Sequence, residues 1–204
     1  MSGDHGWLTA RQRNGGIDEI PLPDGVPGSL SLCGKHAIAP ELGVVSGNPA
    51  DGSLRSHSLR MDPPQRSVAS RRSAHAPGTT LDWTTVVCLT ERHELEERYP
   101  DYVRWLDQGG DRSLWWPIPD MHAPPVDAML GFADDLAGRL RRGDSLLVHC
   151  GAGIGRAGTV AACVLIRLGV SADEAVRIVR EHRPMAGPEV GAQCDLVRAI
   201  GVIA

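Results

Sequence analysis

Lysine, aromatic residues and long apolar runs are all scarce in this sequence of 204 residues. Lys35 is the only lysine, and aromatic residues make up 4% of the chain, so large core anchors are few. The longest strongly apolar run, residues 160–166, is far shorter than the ~20 residues that a membrane-spanning helix needs. The amino terminus lacks the charged and then apolar order of a secretion signal. We therefore expect a cytoplasmic protein with no membrane partner.

Cysteine is also infrequent, and its arrangement excludes a disulfide framework. An odd count of five at scattered spacing argues for a reducing compartment, where a single cysteine can act as a nucleophile. A net charge of −4 gives no reason to expect nucleic-acid binding. Hydrophobic residues at 42% and charged residues at 23% are typical of a globular protein. The length favours a single domain over residues 1–204.

Two segments before residue 80 have little apolar periodicity. Residues 1–27 are rich in Gly, Pro, Asp and Arg, and we predict a loose amino-terminal arm. Residues 47–78 read as a loop rich in Arg, Ser and Pro. Within them, residues 53–76 carry five arginines against one acid, Asp62. The alternative to a solvated loop is a docking surface for an acidic or phosphorylated partner. Between the two segments, residues 30–33 predict an edge strand.

From residue 80 onwards, strand and helix patterns alternate. Short β-branched or apolar runs predict strands at 85–89, 113–116 and 145–149. Amphipathic or apolar segments predict helices at 91–98, 101–107, 126–142, 156–168, 172–182 and 189–202. This alternation predicts an α/β fold, with a central, mostly parallel sheet flanked by helices on both faces and a catalytic core at residues 80–204. Ligands of such sheets bind beyond the carboxyl ends of the strands, which directs attention to the residues after 148.

A cysteine and an arginine bracket a glycine-rich loop at that position, in the sequence HCGAGIGR of residues 149–156. Glycines at 151, 153 and 155 permit the backbone N–H groups to point inward as an anion nest. The following helix adds the positive end of its dipole, and Arg156 can hold two phosphate oxygens. This field also favours the thiolate of Cys150. The residues that would bind phosphate are Gly151, Ala152, Gly153, Ile154, Gly155 and Arg156, with His149 as a supporting neighbour. The alternative is a structural cysteine in a turn.

A thiolate beside a bound phosphate ester could attack the phosphorus, as in a phosphatase that uses a cysteine. Such an enzyme also needs an acid to protonate the leaving oxygen. Asp120 is the candidate, because it lies in the proline-rich segment WPIPDMHAPP after a predicted strand and so at the same sheet edge as Cys150. A mobile loop could bring this acid over the site. The alternative reading of Asp120 is a cap for the helix that begins after Pro125. His122 is interpreted as a neighbour that shapes the loop.

These motifs resemble those of a known family. HCGAGIGR resembles the phosphate-binding loop of the protein-tyrosine phosphatase superfamily, and WPIPDMHAPP is similar to the acid loop of small dual-specificity phosphatases. Residues 86–102 resemble the cyclin-dependent-kinase-inhibitor type and its bacterial relatives. The resemblance covers residues 80–200 well and 28–46 weakly. It implies a cysteine-dependent phosphatase fold with no metal and no cofactor. It also implies Cys150 as the nucleophile that forms a cysteinyl phosphate, Arg156 as the phosphate clamp, and Asp120 as the acid and later the base.

Three further positions are interpreted through the same resemblance. Gln193 lies in a stretch like the one that carries a water-positioning glutamine, and the alternative is a polar face residue of the last helix. Glu94 is read as a hydrogen-bonding support for the site. Ala157 departs from the family, in which Ser or Thr usually follows the loop arginine. We therefore expect slow hydrolysis of the phosphocysteine.

The function that these residues predict is hydrolysis of phosphotyrosine in proteins, with phosphoserine and phosphothreonine left open as further substrates. Ala152 and Ile154 are neutral, which favours a phosphorylated protein over a lipid that carries several phosphates. Two alternatives remain at this stage. Ala157 suggests a phosphoprotein-binding pseudophosphatase. A rhodanese-like sulfurtransferase would also hold a cysteine in a cradle of amides, but it does not account for Asp120.

Overall fold

A mixed sheet lies at the centre of the fold. The computed structural model describes residues 16–41 and 83–203, and within them the sheet has five strands. The strands are β1 (Ile17–Ile20), β2 (Ser29–Gly34), β3 (Thr85–Cys88), β4 (Ser113–Trp115) and β5 (Ser145–Cys150). Their spatial order is β1-β2-β5-β3-β4. Only the β1–β2 pair in this sheet is antiparallel, so the predicted mostly parallel sheet is confirmed.

Helices cover both faces of this sheet, as the sequence predicts. They are α1 (Lys35–Glu41), α2 (Pro100–Gln108), α3 (Val126–Arg141), α4 (Gly155–Arg167), α5 (Ala172–His182) and α6 (Gly191–Ile203), with a short 3₁₀ helix at Arg92–Glu94. Successive residues of β5 point to opposite faces. Leu146 and Val148 join the main core with residues of α3 to α6. His149 contacts Tyr102 of α2 on the other face.

Two predictions for the amino-terminal part are wrong. Ile17–Ile20 forms a strand although it falls in the predicted loose arm, residues 1–27. Residues 30–33 do form a strand, but it is not an edge strand, because β2 lies between β1 and β5. The physical reason is that β1 is only four residues long and carries two acids, so local patterning does not reveal it. Antiparallel pairing with β2 buries Ile20 in the core.

Other predictions for this part of the chain stay predictions. The loop at 47–78, and with it the basic surface at 53–76, lies outside the described residues. The single domain over 1–204 is likewise untested, because residues 42–82 are not described. The described residues all belong to one unit of the chain. None of their helices is long and apolar enough to cross a membrane.

Local signals account well for helices α3, α4 and α5. All residues of α4 from 155 to 166 are buried, which explains why its sequence is apolar nearly all round. Gly143 has φ of +96°, and this left-handed conformation stops the chain just after α3. The Ser171 hydroxyl accepts a hydrogen bond from the Glu174 N–H and so caps the start of α5. These signals are local, and the predicted bounds of α3, α4 and α5 therefore lie within one residue of those observed.

Sheet register brings several chain segments to one edge. Gly34 lies beside Cys150, and Cys88 lies beside His149. Because β2, β3, β4 and β5 run in parallel, their carboxyl ends meet at the same edge of the sheet. The start of α1, the 3₁₀ helix and the proline-rich segment that holds Asp120 all follow directly from these ends. The fold therefore places the predicted site residues around the loop between β5 and α4.

Candidate active site

The loop of residues 149–156 leaves β5 and closes tightly around a thiol. Cys150 is the last residue of β5, and its side chain is buried. Its Sγ accepts a hydrogen bond from the backbone N–H of Gly153 at 3.2 Å. Gly153 has φ of +74°, and a Cβ there would collide with the carbonyl of Cys33. The loop therefore needs glycine at this position, both for its conformation and for its close approach to β2.

Four consecutive carbonyls of this loop are held from outside it. A peptide unit is planar and trans, so a carbonyl fixed on the outside turns the N–H of the same peptide toward the inside. The Gly153 N–H does point inward, since it donates to Cys150 Sγ, and the held carbonyls favour the inward-facing amide nest that the glycine spacing predicts. The carbonyls and their donors are Gly151 with the N–H of Lys35 (3.1 Å), Ala152 with Arg183 Nη2 (2.9 Å), Gly153 with Arg183 Nε (2.5 Å), and Ile154 with the N–H groups of Gly158 (2.9 Å) and Gly187 (3.3 Å).

Arg156 lies in the first turn of α4 and is held by two other segments. Its Nη1 donates to Glu94 Oε1 at 2.6 Å and to the carbonyl of Ile118 at 2.9 Å. Its Nη2 donates to Glu94 Oε2 at 2.9 Å. Glu94 therefore occupies the edge of the guanidinium formed by Nη1 and Nη2. The Nε atom is buried without a hydrogen-bond partner among the described residues, which leaves the Nε–Nη2 edge for an anion.

The electrostatics of this pair favour the charged forms of both partners. Burial opposes the charge on Arg156, but its hydrogen bonds to Glu94, together with its electrostatic interactions with Cys150, Glu94 and Asp120, outweigh burial and raise the pKa of Arg156 above its ordinary value. Burial likewise opposes ionisation of Glu94, yet the hydrogen bonds from Arg156 and from the Glu91 N–H lower its pKa. The charges of Arg156 and Lys35 act in the same direction. The prediction of Glu94 as a hydrogen-bonding support agrees with these contacts.

Asp120 reaches the same guanidinium from the proline-rich segment. Its Oδ1 lies 3.2 Å from Nη2 of Arg156, and its side chain is 69% exposed. The segment is tied to the end of β3, because the N–H groups of Trp116 and Ile118 donate to the carbonyls of Cys88 and Leu89. An exposed carboxylate next to the anion-binding edge of Arg156 is placed to meet the leaving oxygen of a bound phosphate ester.

Gln193 connects the acid segment to the helix layer. Its side chain is buried, so it is not an exposed polar residue of the last helix. Its Nε2 donates to the carbonyl of His122 at 3.2 Å, two residues after Asp120. Its Oε1 accepts from the Glu189 N–H at 2.9 Å and from the Thr159 hydroxyl at 3.4 Å. These contacts anchor the acid segment, and the water-positioning role stays a prediction.

His149 lies beside the loop, on the opposite face of the sheet from the main core. It is fully buried, and burial lowers its pKa to about 3, so the ring is neutral. Its Nδ1 lies 3.4 Å from the carbonyl of Cys150, which can only accept, so Nδ1 carries the proton. Its Nε2 then accepts from the Tyr102 hydroxyl at 2.7 Å. These hydrogen bonds hold the histidine at the end of β5, and its role as a support for the loop stays a prediction.

The sequence reading missed two residues that contact this loop and a third that pairs with one of them. Lys35 contacts it through its backbone N–H, and its Nζ donates to the Glu94 carbonyl at 3.1 Å. Arg183 holds two loop carbonyls and pairs with Asp18 of β1. Lys35 carries a weak signal, as the only lysine in the chain. Arg183 and Asp18 carry none, because 165 residues separate them. Among the described residues, no three His, Cys, Asp or Glu side chains are grouped to hold a metal ion.

A buried cysteine in an amide nest, an arginine clamp and a nearby carboxylate on a mostly parallel sheet define the class of cysteine-dependent phosphatases. A family model described as "PTP-SAK: Swiss Army Knife protein, DSP-PTPase phosphatase domain" matches residues 61–200. The chain therefore belongs to this family of phosphatase domains, and the resemblance stated from the motifs is confirmed.

Individual relatives agree with this assignment. Rat cyclin-dependent kinase inhibitor 3 is 33% identical over 101 residues, which cover 48% of each chain. Mouse protein tyrosine phosphatase type IVA 2 is 32% identical over 80 residues, covering 38% of this chain and 48% of that protein. The chain thus spans about half the length of the curated relatives it matches.

Solved structures give the same fold. The structure of Tk-PTP in its active form matches this chain with a TM-score of 0.52 and 33% identity. The matched part covers 60% of this chain and 81% of the Tk-PTP chain. Kinase associated phosphatase, with its catalytic-site cysteine replaced by serine, has a TM-score of 0.51 at 23% identity and covers 60% and 72%. The second likeness supports the fold alone.

Proposed function

We propose that this protein hydrolyses phosphotyrosine in a protein substrate through a cysteinyl-phosphate intermediate. The observation that carries the proposal is the Nε–Nη2 edge of Arg156, which lies beside both the Cys150 loop and the Asp120 carboxylate. A phosphate monoester bound by this edge and by the inward N–H groups meets a nucleophile and an acid together. Neutral side chains at Ala152 and Ile154 favour a single phosphate group on the substrate.

In the first step, the thiolate of Cys150 attacks phosphorus and the bond to the ester oxygen breaks. Asp120 transfers its proton to the departing oxygen, so the leaving group is a neutral alcohol or phenol. The non-bridging oxygens keep their charge, and they are stabilised by Arg156 and by the amide nest. The products of this step are the dephosphorylated residue and a phosphorylated Cys150.

In the second step, water attacks the phosphocysteine and the sulfur leaves as a thiolate. Asp120, now ionised, accepts the proton from the attacking water, and inorganic phosphate is released. Gln193 supports both steps by holding the segment that contains Asp120. Phosphoserine and phosphothreonine are further candidate substrates, since the same chemistry applies to their esters.

The function is tested by phosphate release from p-nitrophenyl phosphate and from a phosphotyrosine peptide. We expect turnover that vanadate inhibits and that EDTA leaves unchanged. A pseudophosphatase would bind the phosphopeptide and release no phosphate. A sulfurtransferase would instead form thiocyanate from thiosulfate and cyanide. Either of these two results, in a folded protein, would replace the proposed function.

The acid role of Asp120 predicts a dependence on the leaving group. In Asp120→Asn, hydrolysis of phenyl phosphate should fall about 100-fold, whereas hydrolysis of p-nitrophenyl phosphate should fall about 10-fold or less. The reason is that nitrophenolate leaves without a proton and phenolate does not. Asp127→Asn is the matched control, since Asp127 is an exposed carboxylate in the first turn of α3. Equal slowing of the two substrates in Asp120→Asn would contradict the acid role.

Ala157 predicts a slow second step. No hydroxyl follows Arg156 directly, and the hydroxyl of Thr159 donates to Gln193 instead of the thiolate. In Ala157→Ser, a new hydroxyl can stabilise the departing thiolate, so steady-state turnover should rise about 10-fold and the initial burst of product should shrink. Ala161→Ser adds a hydroxyl to a buried position one turn further along α4 and is the control. Unchanged turnover and burst in Ala157→Ser would remove this explanation.

A further inference from the structure

Arg183 joins three separate parts of the structure at the outer side of the phosphate loop. It is the residue after α5, and its side chain is only 12% exposed. Its Nε and Nη2 donate to the carbonyls of Gly153 and Ala152. Its Nη1 donates to the Asp18 carboxylate at 2.6 Å and to the Gly16 carbonyl at 3.1 Å. Every nitrogen of this guanidinium is therefore used, and two of the three hold the loop.

The two carbonyls that Arg183 holds belong to consecutive peptide units of the loop, and the first of these units carries the Gly153 N–H that donates to Cys150 Sγ. If they were released, rotation of either peptide unit would turn a carbonyl oxygen toward the bound phosphate, where it would repel the anion. The neighbouring carbonyls of Gly151 and Ile154 are held by backbone N–H groups, which no side-chain substitution removes. Ala152 and Gly153 are thus the two positions where the nest depends on a side chain.

The ion pair with Asp18 orients the guanidinium. Asp18 lies on β1, and both its side chain and that of Arg183 are largely buried. A carboxylate on Nη1 leaves Nε and Nη2 directed at the loop, because the guanidinium is a rigid, planar fork. The buried pair also means that β1, which the sequence does not predict, connects to the anion site through one side chain.

We infer that Arg183, oriented by Asp18, is a positioning residue that keeps the amide nest of the phosphate loop directed at the bound phosphate. This inference rests on the proposed function, since it concerns the same anion site. Because Arg183 acts through the loop carbonyls, its loss should affect the affinity for phosphate more than the stability of the fold.

The test measures the dissociation constant of inorganic phosphate by calorimetry, together with kcat, KM and the melting temperature. In Arg183→Met, the dissociation constant should rise about 30-fold and kcat/KM should fall at least as much. In Asp18→Asn, it should rise only about threefold, since the amide oxygen still accepts a hydrogen bond. Arg177→Met is the matched control, because Arg177 is an exposed arginine of α5 whose ion pairs stay on that helix.

Two further measurements separate positioning from mere stability. Added guanidinium chloride at a non-denaturing concentration should partly restore phosphate binding to Arg183→Ala, and it should leave wild-type protein unchanged. Arg183→Lys, the variant most certain to fold, should bind phosphate about 10-fold more weakly, because an ammonium is not a planar fork and cannot serve both carbonyls and Asp18.

The outcomes decide the inference in each case. The inference would be overturned if folded Arg183→Lys or Arg183→Met bound phosphate within about twofold of wild type, because losing two guanidinium hydrogen bonds should cost more affinity than that. The proposed hydrolase function would still stand. The inference would also be overturned if Asp18→Asn and Arg183→Met lowered the melting temperature by the same amount and weakened phosphate binding by the same factor. Arg183 and Asp18 would then only stabilise the fold. Wild-type protein that neither binds phosphate nor hydrolyses p-nitrophenyl phosphate would overturn the proposed function as well.

Discussion

Replacement of Cys150 by serine should reduce phosphate release by about 10⁴-fold or more, since a serine hydroxyl without an adjacent base is a very weak nucleophile. The sulfur is the only atom of this residue that changes, and the buried loop around it should keep its shape. We therefore expect Cys150→Ser to bind inorganic phosphate within a few-fold of wild type. The measurement is turnover of p-nitrophenyl phosphate together with calorimetric phosphate binding.

A second cysteine provides a matched control for this prediction. Cys194 is a partly buried free cysteine on α6 whose Sγ makes a long contact, 4.0 Å, with the carbonyl of Pro188. Cys194→Ser should retain full activity. Turnover that survives in Cys150→Ser would contradict the cysteinyl-phosphate mechanism. A trapped phosphoenzyme provides a second readout, because wild-type protein quenched in acid should carry phosphate on Cys150 and the serine variant should not.

The second large effect concerns Arg156. In Arg156→Lys, kcat/KM should fall about 10³-fold, because a single ammonium cannot serve the Glu94 carboxylate and a bound phosphate at the same time. Glu94 accepts from both Nη atoms, so a lysine in this position would pair with Glu94 first. The loss should be seen in kcat as well as KM, since charge on the phosphate oxygens must be stabilised throughout the transfer.

Glu94 provides the complementary variant. In Glu94→Gln, the guanidinium loses the charge of its bidentate partner but keeps a hydrogen-bond acceptor, so kcat/KM should fall about 10-fold. Arg167→Lys is the control on the same helix, because Arg167 pairs with Asp134 at the surface. Loss of a group that stabilises the transition state usually lowers the rate by far more than about tenfold. A folded Arg156→Lys protein that keeps more than about a tenth of wild-type kcat/KM would therefore contradict the role of Arg156 as the phosphate clamp.

Much of the candidate site is visible in the sequence because its central part is contiguous. The proposed nucleophile, the glycines and the proposed clamp lie within residues 149–156, so composition and spacing alone locate the loop between a strand and a helix. Asp120 is found by a chemical requirement for an acid, and its place at the same edge follows from the parallel strand before it. The bounds of α3, α4 and α5 follow from apolar periodicity, a glycine stop and a serine cap.

The remaining parts of the site are contacts between distant segments. Glu94 meets Arg156 across 62 residues, and Gln193 meets His122 across 71. A resemblance brings Glu94 and Gln193 to attention, but it does not show that Gln193 is buried or that its amide anchors the acid segment. Sequence patterns report which face of one element is apolar. They do not report which polar side chain of one element pairs with another.

The sequence by itself determines that a glycine-rich loop between a cysteine and an arginine joins a strand to a helix in a mostly parallel α/β fold. Local conformation, glycine spacing and strand–helix alternation are sufficient for that. Only the tertiary structure decides that β1 joins the sheet and that β2 is internal, because strand pairing joins residues far apart in the chain. It also decides which donors hold the loop carbonyls from outside. Arg183 and Asp18 are side chains of ordinary surface type, and they acquire their role only when folding buries them against the loop carbonyls.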